Sequence, residues 1–283
     1  MQVGIFVVPD AARSRETIEI AETADRAGLD VIAIQDHPYQ RRFLDTWTLL
    51  SFLAARTQRI TLMPDVINLP LRLPTMIAKS AASLDVLSGG RVELGIGAGA
   101  FWDAVWAMGG PKREPGESVE ALEEAIGIIR GFLDVERTLR LDGKHYRVSG
   151  ARPGPEPPHR IGLWVGAYGP RMLRITGRLG DGWLPSVGSR YLAEDDIADR
   201  QRTIDEAAKR AGRESTDIRR AANAGLDDPS VTLDPDWIAR FADSHRFETI
   251  LLSVPDEGAL DFVRRLGEEV APRARELAGS AAA

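Results

Sequence analysis

The residues best suited to proton transfer stand directly after a short apolar run. Asp36 and His37 follow residues 31–34, and Pro38 comes next. A histidine titrates near neutral pH, and a neighbouring carboxylate favours its charged form, so this pair could exchange a proton with a bound ligand. The same two residues could equally form a loop in which the carboxylate caps a turn. A catalytic role for His37 and Asp36 and a purely structural role are therefore both open.

A second candidate lies where a polar residue interrupts an apolar run. Residues 60–66 are rich in apolar and β-branched side chains, yet Asp65 stands among them. Such an interruption indicates a bulge or a strained peptide, which often supports a ligand, although an ordinary strand exit has the same pattern. The candidate ligand contacts of this stretch are Asp65, Val66, Ile67 and Asn68.

Three glycines alternate at the end of the next apolar run. The segment Gly95-Ile96-Gly97-Ala98-Gly99 is not followed directly by a helix, as a dinucleotide-binding G-x-G-x-x-G motif requires, because an aromatic loop comes next. Glycines in this arrangement allow the backbone to approach a flat ligand closely. We therefore take Gly97, Ala98 and Gly99 as candidate ligand contacts.

A further glycine-containing turn has the features of a phosphate site. In residues 166–172, Pro170 suits the first turn of a helix and Arg171 supplies a cation. Free N–H groups and the positive end of a helix dipole bind phosphate, although many ordinary strand–helix loops have a similar sequence. The candidate contacts are Gly166, Ala167, Tyr168, Gly169, Pro170, Arg171 and Met172.

These candidates follow apolar runs that alternate with amphipathic helices. The predicted strands are residues 3–8, 31–34, 60–66, 92–96, 161–166, 182–185, 218–223 and 249–254. The predicted helices are one that Asp45 caps and residues 15–27, 74–88, 116–133, 170–179, 195–211, 235–243 and 260–278. Eight repeats predict an α/β fold, a single (β/α)8 TIM barrel with its site at the strand carboxyl ends; a doubly wound sheet is the alternative.

Two stretches depart from this alternation. Residues 138–148 have the pattern of a β-hairpin that turns at Asp142-Gly143, and a proline-rich segment follows at 152–160. Because the alternation then resumes, we treat 138–160 as an insertion after the fourth helix of one domain, residues 1–283. The long loop 100–115 contains Phe101, Trp102 and Trp106, which predict a lid over the substrate or a subunit interface.

Composition argues against several classes of partner. The formal charge of −6 disfavours nucleic acid, and no stretch approaches the roughly 20 apolar residues of a membrane span. With no cysteine, four scattered histidines and no H-E-x-x-H pattern, we expect neither thiolate chemistry nor a metal site. The start of the chain lacks the pattern of a signal peptide, so we expect a cytoplasmic protein that acts on a small molecule.

Taken together, three segments resemble one known family. They are S-G-G-R-x-x-L-G-x-G-x-G at residues 88–99, G-P-R-M with G-R-x-x-D-G-W at residues 169–183, and IQDHP at residues 34–38. All three are similar to segments of the bacterial luciferase-like flavin and deazaflavin oxidoreductases, and the likeness covers nearly the whole chain. It implies a (β/α)8 barrel that holds FMN or the deazaflavin F420 at the strand carboxyl ends. We also expect a homodimer.

The resemblance implies roles for individual stretches. The cofactor ring would rest after the third strand, where the family often has a cis non-proline peptide; the matching bond is Asp65–Val66, although family members usually have a small residue at position 65. Residues 166–172 match the region of the cofactor phosphate. Asp36 and His37 resemble the Asp-His turn of F420-dependent members, which implies that His37, assisted by Asp36, exchanges the proton that accompanies hydride transfer.

One position departs from a pattern within the family. Some F420-dependent sugar-phosphate dehydrogenases place a catalytic glutamate just past the glycine block, where this chain has Ala100. That role does not carry over, and Asp103 is the nearest acid. A sugar-phosphate substrate therefore loses support.

Three functions compete at this point. The leading hypothesis is an F420-dependent oxidoreductase that moves a hydride between the deazaflavin C5 and a small organic substrate. The alternative is an FMN-dependent monooxygenase that uses reduced flavin and O2, which oxygen consumption would reveal. A flavin-binding protein without catalysis is the third, because a barrel can lose its chemistry and keep its fold. Turnover of any substrate would exclude it.

Overall fold

Nine parallel strands form a nearly closed barrel in the computed structural model, which describes residues 1–135 and 137–281. A separate antiparallel pair makes up the other two strands of the described chain. In chain order the strands are β1 Gln2–Val7, β2 Val31–Ile34, β3 Thr61–Pro64, β4 Ile67–Asn68, β5 Leu94–Gly97, β6 Leu139–Asp142, β7 Arg147–Ala151, β8 Leu163–Val165, β9 Gly182–Trp183, β10 Arg219–Ala224 and β11 Thr249–Ser253.

Helices alternate with the barrel strands and cover their outer faces. They are α1 Ser14–Arg26, α2 Thr46–Arg56, α3 Pro74–Ser88, α4 Trp102–Ala107, α5 Pro115–Leu133, α6 Pro170–Leu179, α7 Ile197–Arg210, α8 Pro235–Ser244, α9 Ala259–Arg265 and α10 Ala271–Ala281. Such strands are buried on both faces, which explains why they appear in the sequence as continuous apolar runs. None of the described helices is long and apolar enough to cross a membrane.

The strand order confirms the predicted α/β barrel. The strands lie in the order β3-β2-β1-β11-β10-β9-β8-β5-β4, and a parallel bridge between Leu62 and Val92 links β3 to the residues before β5. The predicted third strand, residues 60–66, contains only β3, and the short β4 follows it at the same position in the barrel: β3 pairs with β2, and β4 pairs with β5. The ring therefore has eight positions, and the doubly wound alternative is wrong.

Three helix predictions differ from the structure. The long loop after the fourth predicted strand contains α4, which is too short to give a recognisable helical period. Helix α7 begins only at Ile197, because the 3-10 turn Glu194–Asp196 precedes it. The last predicted helix consists of α9 and α10, joined by the π-helical turn Leu266–Val270.

The antiparallel pair β6 and β7 follows α5, the fourth of the predicted helices. Its turn is closed by a hydrogen bond from the Gly143 N–H to the Tyr146 carbonyl at 3.0 Å. The Glu124 carboxylate of α5 accepts the N–H groups of Lys144, His145 and Tyr146 at 2.9–3.0 Å. These bonds attach the hairpin to the outside of the barrel.

The amino ends of the strands are closed by an ion pair and an aromatic ring. Glu93 accepts a hydrogen bond from the Trp164 indole at 2.6 Å and two from Arg219 at 3.0 Å. The Arg219 guanidinium lies 4.4 Å from the centre of the Trp164 ring. A Cβ at Gly182 would lie 2.1 Å from that ring, so only glycine fits beside it. We call these four residues the base of the barrel.

Candidate active site

The opposite end of the barrel opens into a cavity of about 900 Å³. It lies at the carboxyl ends of the strands, where barrels of this class carry their sites. The predicted residues that line it are Asp36, His37, Asp65, Val66, Ile67, Asn68, Gly97, Ala98, Gly99, Gly166, Tyr168, Gly169 and Met172. Ala167, Pro170 and Arg171 are not among the lining residues.

Asp36 is held by charge and hydrogen bonds on both carboxylate oxygens. Its side chain is 1% exposed and accepts the Asn68 N–H at 2.8 Å. Arg72 donates to the two oxygens at 3.1 and 3.0 Å. Arg72 also donates to Asp45, the cap of α2, at 2.6 Å. Asp36 thus fixes the end of β2 against the turn after β4 and the start of α2.

His37 lies at the rim of the same cavity among aromatic rings. Its ring stacks on Tyr39 with centres 5.4 Å apart, and it meets the edge of Phe101 at 5.6 Å. Burial lowers the pKa of His37, while the nearby charge of Asp36 opposes that shift. The neutral imidazole is therefore favoured near neutral pH. Within the described residues, no hydrogen bond is made to the imidazole, so both nitrogens are available to a ligand.

Val66 forms the floor of the cavity. The Asp65–Val66 peptide bond is cis, as the resemblance implied for this bond. A Cβ at Gly97 would lie 2.9 Å from one Val66 methyl, and a Cβ at Gly166 would lie 3.3 Å from the other. The absence of a side chain at Gly97 and Gly166 therefore makes room for Val66. The sequence analysis had predicted that Gly97 lets a flat ligand approach the backbone. A Cβ at Gly99, whose φ is +99°, would meet Pro70 at 2.4 Å.

Asp65 lies beside this floor with a single partner for its carboxylate. The Asn223 side-chain amide donates to Asp65 at 2.9 Å and approaches the Ser186 hydroxyl at 3.3 Å. Burial raises the pKa of Asp65 to about 6, and the Asn223 hydrogen bond opposes the shift. The Tyr168 hydroxyl accepts the Ser186 N–H at 3.0 Å, which joins the loops after β8 and β9.

Two buried oxygens in the cavity wall have no hydrogen-bond donor within the described residues. They are the side-chain carbonyls of Asn68 and Asn223. Buried polar groups are normally paired, so these two oxygens are exceptions in the wall of the cavity. An apolar floor formed by Val66, with polar side chains at its edge, fits a tricyclic flavin or deazaflavin ring.

The predicted phosphate segment begins α6 at the cavity wall. Gly169 precedes the helix and Pro170 occupies its first position. The Ala167 carbonyl accepts the Trp183 indole at 2.9 Å, and the Arg171 guanidinium lies 3.9 Å from Glu120 of α5. The Arg171 side chain is 51% exposed and lines a separate groove with Arg174 and Arg178. The amino end of α6 borders the cavity, while the Arg171 guanidinium faces the outside.

The aromatic loop is divided between the cavity and the surface. Phe101 lines the cavity and has φ of +56°, an uncommon conformation for a bulky residue. Trp102 and Trp106 lie on α4 and are not among the lining residues. A lid formed by this loop stays a prediction. Phe101 is the residue of the loop whose ring contacts His37.

Sequence reasoning missed several residues of the wall. Ser186 follows β9 and Asn223 lies near the end of β10, so the rule that located Asp36 and Asp65 would have found both. The loop after β9 also brings Arg190 and Tyr191 to the cavity, and the Asp227 carboxylate holds this loop through the Ser189 N–H at 2.7 Å.

Comparisons with known proteins agree with this architecture. The chain is 33% identical over 245 residues to an F420-dependent glucose-6-phosphate dehydrogenase of Intrasporangium calvum, with 82% of this chain and 72% of that protein covered. It is 32% identical over 215 residues to a 5,10-methylenetetrahydromethanopterin reductase of Archaeoglobus fulgidus, with 75% of this chain and 60% of that protein covered.

A solved structure shares the fold over nearly its full length. It is the coenzyme F420-dependent tetrahydromethanopterin reductase of Methanopyrus kandleri, with a TM-score of 0.78 and 20% identity; 96% of this chain and 98% of that chain are covered. The sequence profile of the luciferase-like monooxygenases matches residues 1–226, which include every strand from β1 to β10. The chain belongs to the luciferase-like monooxygenase family.

Proposed function

We propose that this protein is an F420-dependent oxidoreductase that transfers a hydride between the deazaflavin C5 and a small organic substrate. The observation that carries the proposal is the cavity floor: Val66, flanked by Gly97 and Gly166, with the Asp36–His37 pair at its rim. The relative from Intrasporangium calvum is named an F420-dependent dehydrogenase, which supports a deazaflavin over other flat ligands.

The residues that would hold the cofactor divide by chemistry. Val66 and Ile67 would offer an apolar surface to the ring, and the polar side chains of Asn68 and Asn223 would lie at its edge. Gly169 and Met172, at the amino end of α6, stand where N–H groups and the helix dipole attract phosphate. Arg171 would add long-range attraction from outside the cavity.

His37 would give or take the proton that accompanies hydride transfer. When bound, the deazaflavin supplies the carbon centre that exchanges hydride, and the protein supplies orientation and proton movement. His37 suits that task because its imidazole is half-buried, free of protein hydrogen bonds in the described structure and favoured in the neutral form. Asp36 would position His37 rather than exchange a proton itself, because Arg72 and the Asn68 N–H donate hydrogen bonds to both of its carboxylate oxygens.

The substrate would enter over the rim between Phe101 and the loop after β9. Ala100 lines the cavity at the position where the resemblance places a glutamate in sugar-phosphate dehydrogenases. The methyl group of Ala100 cannot exchange a proton. We therefore propose a substrate that exchanges its proton with His37. Asp103 is fully exposed and paired with Lys112 at 2.6 Å, outside the cavity lining.

An FMN-dependent monooxygenase is the second candidate. It is supported by the name of the family, luciferase-like monooxygenase, and by a floor that would fit either ring system. The two candidates differ in their use of oxygen, because a deazaflavin does not activate O2 at the carbon that replaces the flavin nitrogen. Oxygen consumption with reduced cofactor therefore separates them.

We also propose that the protein is a cytoplasmic homodimer. Large apolar side chains that are exposed on α2 and at both ends of α3 support the dimer, because an interface would bury them. They are Phe52, Leu73, Met76, Val86 and Leu87. Sedimentation equilibrium tests the dimer: a monomer at micromolar concentration would contradict it.

The test of the proposed function is a pair of binding titrations. Purified protein is titrated separately with F420 and with FMN, and the fluorescence of each cofactor is followed. Binding of F420 at micromolar concentration, with FMN much weaker, is the expected result. Tight FMN binding with O2 consumption would favour the second candidate, and binding of neither would reject both.

A further inference from the structure

Asp65 differs from the other buried aspartates of the described chain in its partners. Asp25 accepts three backbone N–H groups at 2.7–2.9 Å, and Asp36 is paired with Arg72. Asp85 accepts the Val92 N–H and lies 2.8 Å from a nitrogen of His159, and Asp181 is paired with Arg130 and Arg160. Asp65 has only the neutral amide of Asn223.

The Asp65 carboxyl group, which has no charged partner in the described structure, lies at the cavity floor. Its N–H donates to the Ile34 carbonyl at 2.7 Å, which fixes the backbone beside the end of β2. The next residue is Val66, on which the ring is proposed to lie. Only one carboxylate oxygen has a protein partner in the described structure, so the other is available to a ligand.

Within the described residues, no cation of the cavity, Arg190 included, forms an ion pair with Asp65. The titratable and charged groups that line the cavity are Asp36, His37, Tyr39, Tyr168, Arg190, Tyr191 and Asp227. Burial raises the pKa of the Tyr168 phenol, and the Asp65 charge adds to that shift. Burial outweighs the Asn223 hydrogen bond and raises the pKa of Asp65 to about 6.

A ligand on the floor would favour the neutral form further. A flat ring over Val66 removes water from Asp65, and it brings no cation to replace that water. Desolvation without a compensating charge disfavours a carboxylate. A neutral carboxylic acid can donate one hydrogen bond to a ligand acceptor, a role documented for aspartic acids in apolar sites.

We propose that Asp65, held by Asn223, binds the cofactor as a neutral acid that donates a hydrogen bond to an acceptor atom of the ring. This inference rests on the proposed function, because it requires a flat cofactor on Val66. Cofactor binding is then coupled to the uptake of a proton by Asp65. The affinity falls as the pH rises above the range in which free Asp65 is protonated, by up to about tenfold per pH unit.

The experiment measures the dissociation constant of F420 as a function of pH. Fluorescence titrations from about pH 5 to about pH 8 are made with the wild type, Asp65→Asn and Asp227→Asn. Asn keeps a hydrogen-bond donor but does not titrate. Asp227 is the matched control, a carboxylate of the same cavity that holds a loop. F420 and His37 also titrate. The readout is therefore the ratio of the dissociation constant of each variant to that of the wild type at the same pH, in which the contributions of F420 and His37 cancel.

We expect the wild type to lose affinity relative to Asp65→Asn as the pH rises, by roughly tenfold or more across this range. The pH profile of Asp227→Asn should run parallel to that of the wild type, even where the affinity itself differs. Identical pH profiles for the wild type and Asp65→Asn would overturn the inference. So would a wild type that gains affinity relative to Asp65→Asn at high pH, because an ionised Asp65 would then be the acceptor.

Calorimetry of the wild type and of Asp65→Asn provides a second test. Titrations in two buffers of different ionisation enthalpy measure proton uptake on binding. An uptake larger by about one proton in the wild type than in Asp65→Asn at about pH 7.5, and nearly equal in the two at about pH 5, supports the inference; equal uptake at both pH values rejects it. Failure of F420 to bind at any pH would instead reject the proposed function.

Discussion

The two ends of the barrel differ in whether their buried polar groups have hydrogen-bond partners. At the base, Glu93, Trp164 and Arg219 satisfy one another and leave a void of only about 40 Å³. At the carboxyl ends, a cavity of about 900 Å³ leaves the carbonyls of Asn68 and Asn223 without a donor. Both ends are made by the same strands.

The difference indicates which end is built for stability and which for binding. A paired buried group stabilises the fold, whereas an unpaired one costs free energy. Asp36 and Asp65 repeat this contrast within the cavity: Arg72 neutralises Asp36, and no cation of the described residues neutralises Asp65. Substitutions at the base should therefore change the free energy of unfolding, and those in the cavity should change binding and turnover.

The largest effect is expected from His37→Ala. Removal of a general acid–base group typically slows turnover by roughly 10²–10⁴-fold. We expect kcat to fall within that range while the affinity for F420 changes little, because His37 lies at the rim rather than on the floor. Steady-state kinetics with cofactor and substrate both saturating measure the effect. Wild-type turnover under those conditions would remove the catalytic role from His37.

The pH dependence of kcat should contain the same ionisation. Burial lowers the pKa of His37, so the neutral base is present from mildly acidic pH upward. A catalytic base would give activity that rises with pH through this ionisation, and the step should vanish in His37→Gln. The opposite slope would identify the charged imidazole as a proton donor.

Asp65→Asn should stabilise the protein without ligand, in a manner that depends on pH. The pKa of Asp65 is about 6 when folded against an ordinary value of 3.8, so the folded state holds a proton that the unfolded state has lost. Stability is therefore lost as the pH rises through this window. Above it the wild type should be less stable than the variant by about 3 kcal/mol, and at about pH 4 the two should be nearly equal.

Denaturant unfolding at two pH values measures this difference. Asp36→Asn is the matched comparison, because its carboxylate is paired with Arg72 and its loss should destabilise the protein. An Asp65→Asn variant that is no more stable than the wild type at alkaline pH would contradict the contrast between the two aspartates.

A smaller effect is expected at the base from Glu93→Gln. Glutamine keeps an acceptor for the Trp164 indole but removes the charge that pairs with Arg219, whose side chain is 40% exposed. Unfolding should become easier by about 1–2 kcal/mol, since solvent screens part of the pair. The affinity for F420 should not change. A loss of affinity as large as the loss of stability would show that the two ends are coupled.

The smallest effect is expected from Arg171→Ala. The sequence alone suggested a charge-assisted bond to phosphate, worth roughly ten- to a hundredfold in affinity. The guanidinium is half-exposed and lies 3.9 Å from Glu120, so its attraction for a phosphate is screened. We expect F420 affinity to fall by a factor of about five or less. A hundredfold loss would mean that the side chain reorients into the cavity on binding.

The sequence predicted the alternating elements because each barrel strand is a continuous apolar run and each helix has an apolar face. Asp65 was found because a polar residue in such a run is conspicuous, and Asn68 because it stands just after the run. Asn223 was missed because it stands within a predicted strand, and only the closed barrel brings it 2.9 Å from Asp65. The direction of Arg171 depends on how α6 is rotated against α5, which its own turn does not encode.

A cofactor that occupies the carboxyl end of the barrel should leave the structure of the base unchanged. Hydrogen exchange of the backbone amides, with and without F420, tests both halves in one measurement. We expect slower exchange in residues 65–68, 97–101 and 166–172, and no change in the amides of Glu93, Trp164 and Arg219. Unchanged exchange around the cavity at saturating F420, or protection confined to the outer groove of Arg174 and Arg178, would contradict the account.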